Sequence, residues 1–173
     1  GNPQYWGRTS PILFPFVGSL KDKRYTYEGK IYEIGQHGFA RDMEHTLRSQ
    51  SETAIYFELV HTEETLQKYP FAFTLSLGYE LKEKDLKVIW KVINTSDEKE
   101  LHFSIGAHPA FNCPIHGEEN KAGYKFYFGG ADEIHHHGHT DTGLSIEEDV
   151  VLPLENHRAT ITPEFFDGST YII

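Results

Sequence analysis

The sequence predicts an all-β protein built as a large antiparallel β-sandwich. Apolar and polar residues alternate one by one through several stretches, and short polar segments join those stretches. No stretch keeps the 3.6-residue repeat of an amphipathic helix. A period of two is typical of antiparallel strands that bury one face, whereas strands of a parallel sheet are apolar on both faces.

The N-terminal part predicts one irregular segment, one hairpin and one loop. Residues 11–18 are apolar but carry two prolines, which favours an irregular or edge segment because proline has no N–H to donate to a ladder. Residues 24–27 and 30–34 flank Glu28-Gly29 and predict a β-hairpin. Residues 36–42 mix glycine, histidine and arginine without periodicity and predict a loop.

The middle of the chain predicts a meander. Residues 71–81 alternate without a break, and a strand over residues 55–60 precedes them. Residues 86–92 and 101–107 continue the alternation after short polar turns. Consecutive strands joined in this way pair with their sequence neighbours. Residues 62–68 are short and polar, which predicts a helical turn or loop.

The alternation over residues 101–108 predicts the floor of a ligand cleft. One face consists of leucine, phenylalanine, isoleucine and alanine, while the other carries His102, Ser104, Gly106 and His108. Small and imidazole side chains leave room for a ligand against the backbone. Pro109 then ends ladder pairing, so we expect His108 at a strand end, opposite the core.

Residues 112–142 are rich in glycine and histidine and predict a long loop, followed by strands over 145–154 and 158–162. The 173 residues fit a single domain, 1–173. The chain lacks an initiator Met and stops at an apolar triplet, residues 171–173. We therefore expect it to be the central part of a longer β-rich domain. Raw sheet edges at its ends would invite a second copy, so a homodimer is one expectation.

Charge and cysteine content narrow the partners and the compartment. The net charge is −10 and no run of Lys and Arg occurs, which argues against nucleic acid and anionic membranes. No apolar run approaches the ~20 residues of a membrane span. Cys113 is the single cysteine, so an internal disulfide is impossible and a reduced, cytoplasmic setting is favoured.

The candidate site residues are histidines and arginines in glycine-containing or aromatic surroundings. His37 and His108 are the side chains best suited to proton transfer near neutral pH, although structural histidines give the same pattern. Arg8 and Arg41 could bind hydroxyl or carboxylate groups, or form surface ion pairs. Aromatic residues that could stack on a sugar face, or fill the core, are Trp6, Phe39 and Phe111.

Carboxylates near the end and a histidine run are further candidates. Asp167 and Glu164 could each act as a general base or accept from a sugar hydroxyl, or sit in exposed turns. The run His135-His136-His137-Gly138-His139 invites a metal. Three adjacent histidines of a regular strand cannot all face one ion, so we expect a solvated loop and no metal. Pro114 and the lack of basic neighbours favour Cys113 as a packed side chain.

Two stretches taken together resemble the aldose 1-epimerase (galactose mutarotase-like) family, in its LacX-like branch. They are Gln36-His37-Gly38-Phe39-Ala40-Arg41 and Gly106-Ala107-His108-Pro109-Ala110-Phe111-Asn112. The segments Tyr5-Trp6-Gly7-Arg8 and Pro11-Ile12-Leu13-Phe14-Pro15, and Tyr69-Pro70-Phe71, support the match, which spans almost the whole chain.

The resemblance implies a fold, a reaction and roles. The family fold is an antiparallel supersandwich, and the reaction interconverts the α and β anomers of a hexose through ring opening. By resemblance, His108 protonates the ring oxygen and His37 holds sugar oxygens. Arg8 and Arg41 would bind hydroxyl groups, and Asp167 or Ser169 would stand where the family has a substrate-binding aspartate. Neither a metal nor an organic cofactor is implied.

The resemblance also implies what this chain lacks. The glutamate base of the family lies in a C-terminal strand outside these residues, and the family begins with strands upstream of Gly1. We therefore expect the chain alone to be catalytically impaired. Three functions stay open at this stage. They are a mutarotase for a hexose or hexose phosphate, a non-catalytic sugar-binding or sugar-sensing module, and a cupin-type metal enzyme using residues 135–139.

Overall fold

The computed structural model describes residues 2–4, 6–115, 117, 120–140 and 143–165. In this described part the chain forms twelve β-strands, one α-helix and two 3₁₀ turns, and every paired strand is antiparallel. The predicted all-β class is confirmed. The residues group into two compact units, Pro11–His108 and the combination of Gly1–Ser10 with Pro109–Ile173. Among the described residues, no helix is long and apolar enough to cross a membrane.

The Pro11–His108 unit contains eight strands, the helix and both turns. In chain order the strands are β1 (Ile12–Leu13), β2 (Arg24–Tyr27), β3 (Lys30–Glu33), β4 (Thr46–Gln50), β5 (Ala54–Val60), β6 (Phe73–Lys82), β7 (Asp85–Asn94) and β8 (Gly106–Ala107). The helix α1 is Glu63–Lys68, and the 3₁₀ turns are Lys21–Lys23 and Ala40–Asp42.

A four-stranded sheet in the order β4-β5-β6-β7 is the platform of this unit. On β6 the predicted alternation is real, because Phe73, Leu75 and Leu77 are buried on one face. The predicted strands over 55–60, 71–81 and 86–92 are confirmed as β5, β6 and β7. Strand β4 is absent from the prediction. All five of its residues are exposed and its ladder is bulged at Leu47/Ser49, so it carries no period-two signal.

The predicted hairpin and helical turn are also confirmed. Strands β2 and β3 pair in register on either side of Glu28 and Gly29, whose φ angles of 48° and 75° are the left-handed values that a tight hairpin turn needs. At the start of α1, Thr62 and Thr65 exchange side-chain-to-backbone hydrogen bonds in a reciprocal cap. Such a cap satisfies N–H groups that the first helical turn leaves unpaired.

An aromatic cluster forms the core of the Pro11–His108 unit. The side chains of Phe14, Tyr69 and Phe73 are fully buried, and the ring centroids of Phe14 and Phe73 lie 5.0 Å apart in an edge-to-face arrangement. Buried aromatic rings contribute large apolar areas, and edge-to-face pairs add specific attraction. Phe14 belongs to the proline-containing segment predicted as irregular, which therefore lines the core.

The predicted strand over residues 101–107 is wrong for most of its length. Strand pairing occurs only at Gly106–Ala107, where β8 pairs with β1 and not with β7. Ser104 instead donates its N–H to the carbonyl of Pro15, and Phe103 on the expected core face is 43% exposed. The neighbour of this stretch is the segment that contains Pro11 and Pro15, and two residues without an N–H cannot support a continuous ladder.

The described residues of the second unit form two antiparallel strand pairs. Strand β9 (Lys125–Tyr127) pairs with β12 (Arg158–Thr160), and β10 (Glu133–His139) pairs with β11 (Ser145–Pro153). The predicted later strands are confirmed, but the prediction of a loop through the histidine run is wrong. Residues 135–137 of β10 are all histidines, so the sequence shows no alternation of apolar and polar residues there. His136 is 7% exposed, while His135 and His137 point outward.

Candidate functional site

The structure brings His37 and His108 together. Their ring centroids lie 6.1 Å apart, with an angle of 83° between the ring planes. Both side chains are only partly buried, so solvent reaches them. Seventy-one positions separate the two residues in the chain (108 − 37). The pair lies within the Pro11–His108 unit and is the candidate site that the sequence predicts.

The backbone of the His37 loop is fixed by the carbonyl of Phe14. The N–H groups of Phe39 and Ala40 both donate to it, each at 3.1 Å. Gly38 makes this close approach feasible. Its φ is +71°, and a Cβ atom at this position would lie 2.2 Å from the Phe14 oxygen. Only glycine satisfies both demands without a backbone shift, since a side chain is strained in the left-handed region.

His37 is held by two hydrogen bonds to one residue. Its own N–H donates to the carbonyl of Gly18 at 2.8 Å, and its Nδ1 accepts from the N–H of Gly18 at 2.9 Å. The φ of His37 itself is +63°, an uncommon value for a residue with a side chain. Such strained residues cluster at functional sites, which adds weight to this candidate.

His108 follows β8 directly, where the sequence predicts it. Its backbone N–H donates to the carbonyl of Pro11 at 3.3 Å, one residue before the β1–β8 pairing begins. Ser104 anchors the same stretch four residues earlier, because its Oγ accepts from the N–H of Val17 at 2.9 Å. The sequence shows Ser104 only as a small residue on the His102–His108 face, and it gives no signal for Gly18.

Arg41 has a visible structural contact. Its guanidinium Nη2 donates to the carbonyl of Gln36 at 2.8 Å, and its Nε lies 3.6 Å from the carboxylate of Asp42. The hydrogen bond to Gln36 ties the two ends of the His37 loop together. A role for Arg41 in binding sugar hydroxyls stays a prediction.

The remaining predicted site residues are divided between the two units or lie outside the described residues. Arg8 is partly buried, and Phe111 is 80% exposed. Their sugar-binding roles stay predictions. Asp167 lies outside the residues that the structure describes. Phe39, considered both as a stacking residue and as a core residue, is buried in the core of the first unit.

The histidine run places one imidazole between two carboxylates. On the outward face of β10, His135 Nδ1 lies 2.7 Å from Asp149, and its Nε2 lies 3.0 Å from Glu133. The hydrogen bonds to Asp149 and then to Glu133 raise the pKa of His135 above its ordinary value. Within the described part of the chain, no three His, Cys, Asp or Glu side chains are placed to hold one metal ion.

The fold is that of the galactose mutarotase-like β-sandwiches. A galactose mutarotase related enzyme from Lactobacillus acidophilus superimposes with a TM-score of 0.86 and is 35% identical, over 96% of this chain and 55% of that chain. A galactose mutarotase-like protein from Lactobacillus casei ATCC 334 has the same TM-score and 31% identity, over 97% of this chain and 57% of that chain.

The chain belongs to the aldose 1-epimerase family, whose model matches residues 1–153. Plasmid-encoded protein LacX of Lactococcus lactis subsp. lactis is 34% identical over 164 residues, which are 91% of this chain and 55% of LacX. The resemblance seen in the sequence is confirmed. The chain spans about half the length of the relatives it matches.

Proposed function

We propose that the whole protein interconverts the α and β anomers of a hexose by acid–base ring opening. The observation that carries this proposal is the contact between His37 and His108 in a member of the aldose 1-epimerase family. His108 acts as the acid that protonates the ring oxygen, and His37 donates a hydrogen bond to a sugar oxygen. Histidine suits both tasks because its ordinary pKa lies close to neutral pH.

The geometry of the pair restricts how a sugar binds. A pyranose placed between the two rings would need two van der Waals contacts, a centroid separation of about 7–8 Å. The observed 6.1 Å is shorter, so the imidazoles address a sugar from one side and do not sandwich it. The base that removes the C1 proton then acts from a different direction. In the family resemblance that base is a glutamate beyond the matched strands.

The other predicted residues take the roles that the sequence gives them in this proposal. Arg8 and Arg41 donate to sugar hydroxyls, Phe111 stacks on the apolar face of the ring, and Asp167 accepts from a hydroxyl. No metal or organic cofactor takes part in this proposal, because proton transfer at a hemiacetal needs one acid and one base. The protein acts in the cytoplasm, as a monomer or homodimer, on a small sugar and not on nucleic acid or membranes.

A free hexose is the better substrate than a hexose phosphate. A phosphate would require cations without competing carboxylates. The sequence offers Lys21, Lys23 and Arg24 as cations for a phosphate, and of these Lys23 lines a groove of about 440 Å³ together with Glu33, Asp42 and Glu64. Lys68 in the same groove pairs with Glu64 at 2.7 Å. The carboxylates make this groove unfavourable for a dianionic phosphate.

A second candidate is a sugar-binding or sugar-sensing module without turnover. The chain covers only 55% of LacX and of the Lactobacillus acidophilus enzyme, and it includes both imidazoles. An imidazole pair can bind a sugar by hydrogen bonds without any proton transfer at C1, so binding without turnover is the alternative outcome.

The test is mutarotation, measured by polarimetry with freshly dissolved α-D-galactose and α-D-glucose. We expect the whole protein to accelerate the approach to anomeric equilibrium and His108→Asn to lower kcat by about 10²–10⁴. His102→Asn is the matched control, because His102 lies on the same stretch and its side chain is 62% exposed. Sugar binding without acceleration, measured by calorimetry, would favour the binding module. Full activity in His108→Asn would remove His108 from the mechanism.

A further inference from the structure

We propose that Gly18 and Ser104 are positioning residues that fix His37 as the Nε2–H tautomer and thereby make it a hydrogen-bond donor toward the ligand. The consequence for turnover rests on the proposed function, but the tautomer does not. Three observations support this assignment. They are the direction of the hydrogen bond between Gly18 and His37, the anchoring of residues 15–18 by Ser104, and the position of residues 15–18 between the stretches that carry the two histidines.

The direction of the hydrogen bond decides the tautomer. The partner of His37 Nδ1 is the backbone N–H of Gly18, at 2.9 Å. A backbone N–H can only donate, so Nδ1 must present its lone pair and cannot carry the proton. In a neutral imidazole the proton then resides on Nε2. The backbone N–H of His37 donates to the carbonyl of the same Gly18 at 2.8 Å, so Gly18 holds both the backbone and the ring of His37.

The segment that presents the Gly18 N–H is anchored by Ser104. Ser104 accepts from the N–H of Val17 through Oγ at 2.9 Å and donates its own N–H to Pro15 at 2.9 Å. These two bonds lie on either side of Phe16 and fix the backbone of residues 15–17, directly before Gly18. Gly18 has a φ of +83°, a value that lets the backbone turn its N–H and carbonyl toward His37 together.

The anchored segment contacts the stretches that bear both histidines. On one side it holds His37, and on the other it packs against residues 104–106. A Cβ atom built on Gly106 would lie 3.1 Å from a methyl carbon of Val17, so the backbone of this stretch approaches Val17 closely. His108 lies two residues after Gly106 in the chain. One short segment therefore sets the rotation of His37 relative to His108.

The chemical consequence is that His37 and His108 have different roles in the proposed reaction. With Nδ1 occupied by Gly18, His37 offers Nε2–H to a sugar oxygen as a neutral donor. If His37 accepted a proton from the reaction, Nδ1–H would face an N–H donor and the bond would be lost. Proton transfer to the ring oxygen therefore belongs to His108. Losing one neutral hydrogen bond of this kind changes a rate by up to about tenfold.

The first experiment is NMR of the whole protein labelled with ¹⁵N-histidine, with His37 assigned by the signals lost in His37→Gln. We expect the nitrogen shifts of an unprotonated Nδ1 and a protonated Nε2 at pH 8. In Ser104→Ala we expect the His37 signals to move toward a tautomer mixture, and Ser104→Thr should restore them, since threonine keeps the acceptor hydroxyl. Ser49→Ala, an exposed serine of β4, should leave them unchanged. An Nδ1–H tautomer in the wild type overturns the proposal.

The second experiment separates this inference from the proposed function. In the whole protein, Ser104→Ala should lower kcat for mutarotation by up to about tenfold with little change in KM, and Ser104→Thr should recover it. If the wild type shows the Nε2–H tautomer but no mutarotation, the proposed function fails and the tautomer assignment stands. If mutarotation is present and Ser104→Ala leaves both kcat and the His37 signals unchanged, the positioning role is refuted.

Discussion

Replacing Gly38 with alanine tests whether the His37 loop depends on one carbonyl contact. The new Cβ would lie 2.2 Å from the oxygen and 2.5 Å from the carbonyl carbon of Phe14, both backbone atoms that cannot rotate away. The loop must therefore shift away from Phe14. That shift breaks or lengthens the two 3.1 Å hydrogen bonds from Phe39 and Ala40 to the same carbonyl.

Two terms set the size of the effect. An alanine in the left-handed region costs about 1–2 kcal/mol. Two backbone hydrogen bonds are worth about 0.5–1.5 kcal/mol each. Gly38→Ala should therefore lower the free energy of unfolding by about 2–5 kcal/mol, the sum of those two terms.

Gly29→Ala is the matched control. Gly29 also has a positive φ, +75°, but a Cβ there would have no atom within 4 Å. Its replacement should cost only the conformational term, about 1–2 kcal/mol. Urea unfolding followed by far-ultraviolet circular dichroism gives both values, and the extra loss at Gly38 should lower its midpoint by roughly 0.5–1.5 M relative to Gly29→Ala. Equal midpoints would show that the Phe14 carbonyl does not hold the loop.

Two further predictions concern the core and the charge cluster. Leu75→Ala should lower the free energy of unfolding by about 2–5 kcal/mol, because Leu75 is fully buried. Leu86→Ala is the control, since Leu86 is 62% exposed and its replacement should change the free energy of unfolding by less than ~1 kcal/mol. The midpoints of urea unfolding check both values. The raised pKa of His135, caused by Asp149 and then Glu133, means that the folded state binds its proton more tightly than the unfolded state. The stabilisation is therefore present below about pH 6.5 and is lost as the pH rises through the folded-state pKa. His135→Gln should lower Tm more at pH 6 than at pH 9 in low salt, and a larger loss at pH 9 would contradict this assignment.

Residue alternation predicted the long central strands β5, β6 and β7. Strand β6 is the clearest case, since Phe73, Leu75 and Leu77 enter the core while the residues between them are only half-buried. Strand β4 could not be predicted in this way, because an edge strand that is exposed throughout needs no apolar face. Strand β10 could not be predicted for a different reason. Its buried residue, His136, and the exposed neighbours of that residue are all histidines, so residue type does not distinguish the buried position from the exposed ones.

The stretch before His108 shows that alternation can be real without a ladder. Leu101 and Ile105 do pack against the core, as their spacing predicts. Phe103 between them is 43% exposed, and the neighbouring Pro11–Gly18 segment supplies hydrogen bonds to this stretch only at isolated points. A period of two records which residues reach the core, but whether a ladder forms also depends on the N–H groups of the neighbour.

The histidine pair could be predicted from residue type and local motif, but its support could not. His37 and His108 stand out as titratable groups among small and aromatic residues. Gly18 and Ser104 act through a backbone N–H and a single hydroxyl, and neither leaves a chemical signature in the sequence. Their contribution follows from distances across 19 and 87 positions of chain, which no local pattern encodes.

Phe14 connects the core to the candidate site, because its side chain packs in the core and its backbone carbonyl contacts the His37 loop. Its side chain is fully buried against Phe73 of β6, so the position of its backbone is fixed by the packing of the sheet. Its carbonyl accepts from the residues that follow Gly38 and so places the His37 loop. A loop tied only to another loop would be free to open locally, since surface backbone hydrogen bonds have little buried area to protect them. Because the acceptor here belongs to a core residue, opening the His37 loop requires either losing two hydrogen bonds at a buried carbonyl or disturbing the aromatic cluster. The imidazole is thus held with the rigidity of the core although it stands in a turn.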